Sequence, residues 1–171
     1  MAAAKPAIDL STIGMKVAIA FETIAGTRPT DKYYNLQKPK SIPDMNPEPD
    51  TIDTTSLNAT KYKTSVPGLL DLSGAMGFTF GMSQVFIDTW ENICDTWDKS
   101  KAEGKRPWLE IYHPDLTKAW FIPIVPSRLG VPSAEVNAAW EATANVTISD
   151  EIKIEEKIEP ADEDFPAPLG G

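Results

Sequence analysis

Apolar side chains recur along this chain at two periods. Across Met15–Glu22, Val17, Ile19 and Phe21 fall on one face, with Lys16 and Glu22 on the other, the alternation of a half-buried strand. Ala75–Gly81 repeats it, with Met76, Phe78 and Phe80 against Thr79. Its two glycines predict a bend or a close backbone approach. The period then changes. Phe86, Trp90, Ile93 and Trp97 recur at helical spacing behind Ser83, a good N-cap. Asp88, Glu91, Asp95 and Asp98 occupy the opposite face, and Lys99 and Lys101 precede a stop at Gly104. The four apolar side chains are the predicted core anchors of a helix lying on a sheet. Pro107–Tyr112 and Lys118–Val125 read as a hairpin about Pro114-Asp115, its second strand becoming an edge where Pro123 and Pro126 interrupt the ladder. Ser127–Ser133 is a loop. Val136–Ser149 alternates again, with Val136, Ala138, Trp140, Ala142, Ala144, Val146 and Ile148 on one face. Its fourteen residues predict a bend between sheets or an element reaching outside the domain.

Two runs lack a clear apolar face. In Asp50–Thr55, Thr51, Asp53 and Thr55 oppose Ile52 and Thr54; Tyr62–Val66 follows after the polar stretch Ser56–Lys61. Strands that bury no face of their own find partners elsewhere, often on another chain. Pro67-Gly68 predicts a turn, because proline fixes φ and glycine admits positive φ. Residues 24–49 hold five prolines around Tyr33, Tyr34 and Leu36, an extended segment expected to dock on a neighbouring subunit. Residues 1–14 form an N-terminal arm. The sum is a strand-dominated α+β domain over 15–149 with one helix, a long loop and extended arms.

One domain is natural for 171 residues. Cys94 is the lone cysteine, so the fold needs no intrachain disulfide. MAAAKPAIDLSTIGMK carries Lys5 but no long apolar run, and is read as lacking a signal peptide; no stretch has the length of a membrane span. Of the net charge of −9, six units lie in Asp150–Asp164, where eight acids face Lys153 and Lys157. Such a balance argues against a nucleic-acid binder, which needs a basic surface, but suits a surface that DNA must pass without sticking. The acidic extension 150–171 is expected to be a disordered solubiliser, or else a tail whose like charges delay premature polymerisation.

Little here suggests catalysis. His113, the single histidine, stands beside Pro114 in a predicted turn and is expected to be solvated, with or without Asp115. Cys94 lies among helix apolar residues, where cysteine acts as a small hydrophobe. Together they fall short of a zinc ligand set, and no nucleotide-binding or nucleophile-elbow motif occurs. Asp50 with Asp53, or Asp88 with Glu91, offers paired acids, though such spacings usually form a solvated face. Trp108, Trp120 and Trp140 leave a carbohydrate- or protein-binding module as the alternative from another class. No cofactor or metal is expected.

Ile42–Phe80, IPDMNPEPDTIDTTSLNATKYKTSVPGLLDLSGAMGFTF, resembles the tail tube proteins of long-tailed, non-contractile bacteriophages: an acidic Pro-rich lead-in, a D-x-T-x-L strand, then Y-K-x-x-x-PGL. Trp108–Phe121, Gly130 and Glu135–Ser149 continue the likeness, which runs from about Gly14 to Ser149. It implies a β-sandwich flanked by one helix, and hexameric rings stacked into a tube that conducts DNA in the virion. The implied partners are further copies of the chain, a tape measure protein, a tail tip and a tail terminator, with assembly in a bacterial cytoplasm and no membrane. By this likeness Asp50, Asp53, Thr55, Tyr62, Lys63, Pro67 and Gly68 become candidates for ring contacts or the lumen, with Asp50 and Asp53 as lumen acids. A tube of a contractile tail or secretion device shares the architecture, but generally lacks this lead-in and PGL turn.

Overall fold

The computed structural model describes residues 3–4, 6–72 and 74–168. Lys5, the first two residues and the last three of the predicted arms lie outside the described residues. Ten strands and one helix make a strand-dominated domain: β1 Lys16–Phe21, β2 Tyr34–Leu36, β3 Pro39–Ser41, β4 Glu48–Asp53, β5 Ser65–Asp71, β6 Ala75–Gly81, α1 Gln84–Ser100, β7 Pro107–Tyr112, β8 Lys118–Pro126, β9 Glu141–Ile148 and β10 Lys153–Glu156. Eight of the strands form one sheet in the order β2-β1-β7-β8-β9-β6-β3, with β10 added beside β8. β2 and β3 end that order, yet only Gln37 and Lys38 separate them. Three Cα steps reach at most about 11 Å, so the sheet must curl until its ends are neighbours. The result is a curled half-barrel. Lys38 makes the crossing in a left-handed conformation (φ 54°), and its carbonyl accepts from Gly81 N at 2.9 Å.

Inside the curl, Val17, Ile19, Phe78, Phe80, Leu109 and Ile122 pack with Phe86, Trp90 and Ile93 of α1. Ser83 Oγ caps the helix by accepting from Phe86 N at 3.1 Å; Gly104, left-handed at φ 72°, ends the single 3-10 turn after it. Trp90 donates through Nε1 to Ser127 O at 2.8 Å. Burying Phe86, Trp90 and Ile93 contributes roughly 1.5–3 kcal/mol each as an upper bound. Trp97, expected as a fourth anchor, is only half-buried.

The sheet's other face also has a core. Ala18, Ala20, Ala119, Trp108 and Phe121 lie beneath Tyr33 and Ile158, so every residue of β7 is buried. The covers are the two segments expected to be extended. Residues 24–49 do not reach for a neighbour to bury Tyr33 and Leu36: both are buried in this same domain, with β2 on β1 and β3 on β6. The acidic segment after Ser149 is no disordered solubiliser. β10 pairs with β8, Arg106 bonds Asp150 at 3.1 Å, and Ala161 bridges to Tyr34. Phe165 then packs against Phe21 and Tyr34, with its carbonyl bonded by Asn92 Nδ2 of α1.

One proline expectation holds and one fails. β8 becomes an edge toward its end: β10 pairs with it as far as Phe121 and β7 as far as Pro123, and β9 alone pairs with Ile124–Pro126. Pro123 stands where the partner changes, and its carbonyl accepts from Ser149 N at 3.0 Å, so its missing N–H interrupts no ladder. Pro67-Gly68, in contrast, makes no turn. β5 runs through it, and the ladder steps from Pro49↔Leu70 to Thr51↔Pro67, which leaves an extra residue on β5. That is a β-bulge. A Cβ on Gly68 would stand 3.2 Å from the Asp50 carbonyl oxygen, so the site favours glycine. The long strand expected from Val136 begins only at Glu141, with Val136 exposed in a loop. Beyond Ile148 it bends and resumes along β8 as β10.

Phe165→Ala removes the ring that ties the C-terminal strap to β1, β2 and α1. The expected result is a loss of about 3 kcal/mol in equilibrium denaturation, against under about 0.5 kcal/mol for the exposed Val131→Ala.

Candidate assembly surface

β4 and β5 form a two-stranded sheet of their own, with no ladder to the large one. From residue 50 to 69 no side chain is buried. The register puts Ile52 opposite Val66 and Asp53 opposite Ser65. Since side chains alternate, Asp50, Ile52 and Val66 share one face, and Thr51, Asp53 and Ser65 the other. Asp50 and Asp53 therefore point to opposite faces, and the two proposed lumen acids cannot line one surface together. The hairpin's far end is locked by threonines. Thr54 N donates to Thr64 O at 2.9 Å, and Thr55 Oγ1 accepts from Thr64 N at 2.9 Å. Thr55 also donates to Asp53 through its backbone N–H at 2.8 Å. Hydrogen bonds from the Thr55 side chain and backbone hold Asp53 below the usual carboxylate range.

Beyond them the tip exposes Leu57, Lys61, Tyr62 and Lys63. Ile52 and Val66 are 54% and 46% exposed, and Leu69 and Leu70 more so. A hairpin this isolated is marginal in water, and its exposed apolar side chains make it a candidate interaction site. At its root Pro47, Leu70 and Leu72 border a groove with Ile148 and Ile152. Next to it, Ile42, Met45, Ile111, Trp120, Ile122 and Ile154 line a second groove of about 460 Å³ at the end of the curl.

A bare sheet face lies on β6 and β9. Glu141, Thr143, Asn145 and Thr147 are exposed beside half-buried Gly77 and Thr79. Gly77 has no room for a side chain, since a Cβ there would come within 2.9 Å of Thr143 Cγ2. Sequence alternation gave the faces of β9, but nothing local told that this outer face stays uncovered while that of β7 is roofed.

The groups weighed for chemistry are dispersed and mostly engaged. His113 is buried, not solvated: Nε2 lies 2.6 Å from Ser11 O, and Nδ1 accepts from Asp115 N at 3.1 Å. It pins the N-terminal arm. Burial pushes the Cys94 thiol up to about 11, away from nucleophilic reactivity. Gln84 donates to Asp88, while Arg128 joins Glu91, Asp95 and Asp98 at 2.6–3.0 Å, fastening the 127–133 loop to the helix. Trp108 is core; Trp120 on β8 and Trp140 just before β9 are partly exposed. Among the described residues no three His, Cys, Asp or Glu side chains cluster to hold a metal, and no helix is long and apolar enough to cross a membrane.

No protein-family model and no curated protein matches the chain by sequence. Solved structures do match by shape. A protein of the anti-feeding prophage (AFP) baseplate, seen by cryo-electron microscopy with six-fold symmetry, aligns at a TM-score of 0.51 and 12% identity, over 90% of this chain and 98% of its own. A protein in the tail of an empty GTA particle, refined with C6 symmetry, aligns at 0.55 and 9%, over 86% and 99%. The chain shares the fold of tail-particle proteins. At these identities the likeness is one of fold, and it spans nearly the whole length of both matched chains.

The separateness of the hairpin has a direct test. Replacing residues 50–69 by Asn-Gly joins Pro49 to its cross-strand partner Leu70 through a two-residue turn. Because no buried side chain is lost, the shortened protein is expected to unfold within about 1 kcal/mol of the parent, measured by chemical denaturation.

Proposed function

We propose that this chain is the tube subunit of a phage-type tail, assembling into stacked six-membered rings. The observation that carries this reading is the pairing of a self-sufficient body with a hairpin that, among the described residues, forms no ladder with any other strand. The body closes its own core and covers β7 on both faces, so it needs no second subunit to fold. The hairpin, in contrast, exposes Ile52, Val66, Leu69 and Leu70 to water. Proteins of the same fold occur in a tail and a baseplate of six-fold symmetry. A heterologous contact repeated around six-fold symmetry closes a ring, and a second contact along the axis stacks the rings.

In this arrangement the Ile52–Val66 face seats on a neighbouring copy, and the Thr51–Asp53–Ser65 face remains polar. Asp53 is then the lumen acid, and Asp50 belongs to the contact. A lumen sharing the chain's negative charge repels DNA phosphates and keeps the passing genome from sticking. The Pro-rich acidic lead-in and the PGL string favour the non-contractile phage tail, with a tape measure, tip and terminator as further partners and the virion as the site of action. The role is structural and not enzymatic.

Negative-stain electron microscopy of the concentrated protein, with light scattering in time, tests the class. Rings or hollow tubes of uniform diameter are expected, if necessary after addition of purified tail tips. A protein that stays monomeric with tips present overturns the reading in favour of a binding module. Ile52→Asp with Val66→Asp is expected to abolish rings while leaving the unfolding midpoint unchanged. The two acids separate as well: in assembled particles Asp53→Lys slows DNA release, whereas Asp50→Lys acts on assembly yield. Equal effects of both on release would sink the assignment of faces.

A further inference from the structure

The least expected side chain in the molecule is Glu110. It stands in the middle of β7, fully buried, on the face roofed by the 24–49 segment and the C-terminal strap. Its strand neighbours across the ladder are Ala18 on β1 and Phe121 on β8, and Trp108 and Tyr112 flank it on its own strand. From the first covering segment Tyr33 and Arg28 face it. Tyr33 gives its hydroxyl proton to Pro29 O at 2.9 Å. Arg28 lies over the Phe121 ring and is ion-paired with Glu155 of the strap. From the strap, Ile158 donates its backbone N–H to Glu110 Oε1 at 3.0 Å. Lys157 turns away, bonding Pro114 O at 2.9 Å and lying over Tyr112. Among the described residues Glu110 Oε2 has no hydrogen-bond partner.

A buried carboxylate with one donor, whose nearest cation is committed elsewhere, is costly; a neutral carboxyl leaves only one unpaired hydroxyl. We propose that Glu110 is a proton-controlled latch for the C-terminal strap, holding residues 153–158 closed when neutral and loosening them when ionised. Burial pushes its pKa up to about 7, against smaller lowering effects from the Ile158 bond and Arg28. With the strap open, water reaches the carboxyl and its affinity for the proton returns to the ordinary range. The closed form therefore holds its proton more tightly. Closure is favoured in acid, weakens as pH rises from about 4.5 to about 7, and levels off above that.

Opening uncovers Trp108 and Phe121 and frees the edge of β8 at Lys118–Phe121, which β10 otherwise occupies. A free edge and an apolar face are what a second copy of the chain can bind. The latch itself does not require the assembly reading; its use as a control on assembly does.

Amide hydrogen exchange on the full chain tests the latch, with β6–β9 amides as internal control. Between pH 5.0 and 8.0, after correction for intrinsic exchange, protection at Lys153–Ile158 is expected to fall by up to about 100-fold relative to that control. Glu110→Gln, which cannot ionise, should flatten the profile, and Glu110→Met serves if the amide variant does not fold. Strap protection that keeps pace with the control across this range in the parent protein overturns the proposal, as does a pH dependence that survives in either folded variant. Since the readout is local opening in the monomer, a failure to form rings leaves this result standing and bears only on the proposed function.

Discussion

Two residues, Gln37 and Lys38, join the first strand of the large sheet to the last. That tether cannot be long, and so the sheet cannot be open. Closure sets up an interior wide enough for Phe78, Phe80 and Leu109 together with the apolar stripe of α1. It also leaves a seam, because β2 and β3 do not pair with each other. The seam is managed from both sides. Met15 and Val17 approach Pro39–Ile42 along one stretch, and Phe165 fills beside Phe21 and Tyr34 along another. A left-handed Lys38 is the local cost, on the order of 1–3 kcal/mol for a non-glycine residue, offset because the whole core depends on the crossing.

From the seam the reason for the strap follows. A curled sheet has an outer face, and over β1, β7 and β8 that face carries Trp108 and Phe121, too apolar to leave in water. The 24–49 segment covers part of it with Tyr33, and the C-terminal strap covers the rest with Ile158. Buried Glu22 organises the start of this roof. It accepts from Arg106 N at 2.8 Å and Trp108 Nε1 at 3.1 Å. Burial alone would raise its pKa, yet these bonds outweigh burial and hold it below the usual range. Arg106 in turn reaches Asp150, where the strap begins. Two buried glutamates thus sit under one roof with opposite tendencies: Glu22 has four donor groups around it, whereas Glu110 has one.

How much of this the sequence disclosed depends on the range of each interaction. β1, β6 and α1 were readable because alternation and helical spacing are local and repeat several times. The hairpin's lack of a core face was readable for the same reason. What failed was long-range. Nothing within ten residues of Glu110 tells that its face is roofed, and the strap's anchors are single apolar residues, Ile158 and Phe165, set in an acidic run that reads as solvated. His113 is buried where it bonds Ser11, about a hundred residues away. Pro67-Gly68 misled for a subtler reason. Its turn chemistry is a real preference, but a bulge accommodates a missing N–H equally well.

The division between body and hairpin has a consequence for assembly. If the contact surface were part of the core, an unassembled subunit would be partly unfolded and would aggregate by exposed strand edges. Here the long sheet ends in two short strands, β2 and β3, so the monomer presents little edge there. Part of the apolar surface that remains is gathered on the hairpin, where, in the proposed assembly, it contributes to association without being needed for folding. In the proposed assembly such a subunit accumulates without loss until a nucleus offers the complementary surface, because the free energy of joining comes from residues that folding never used.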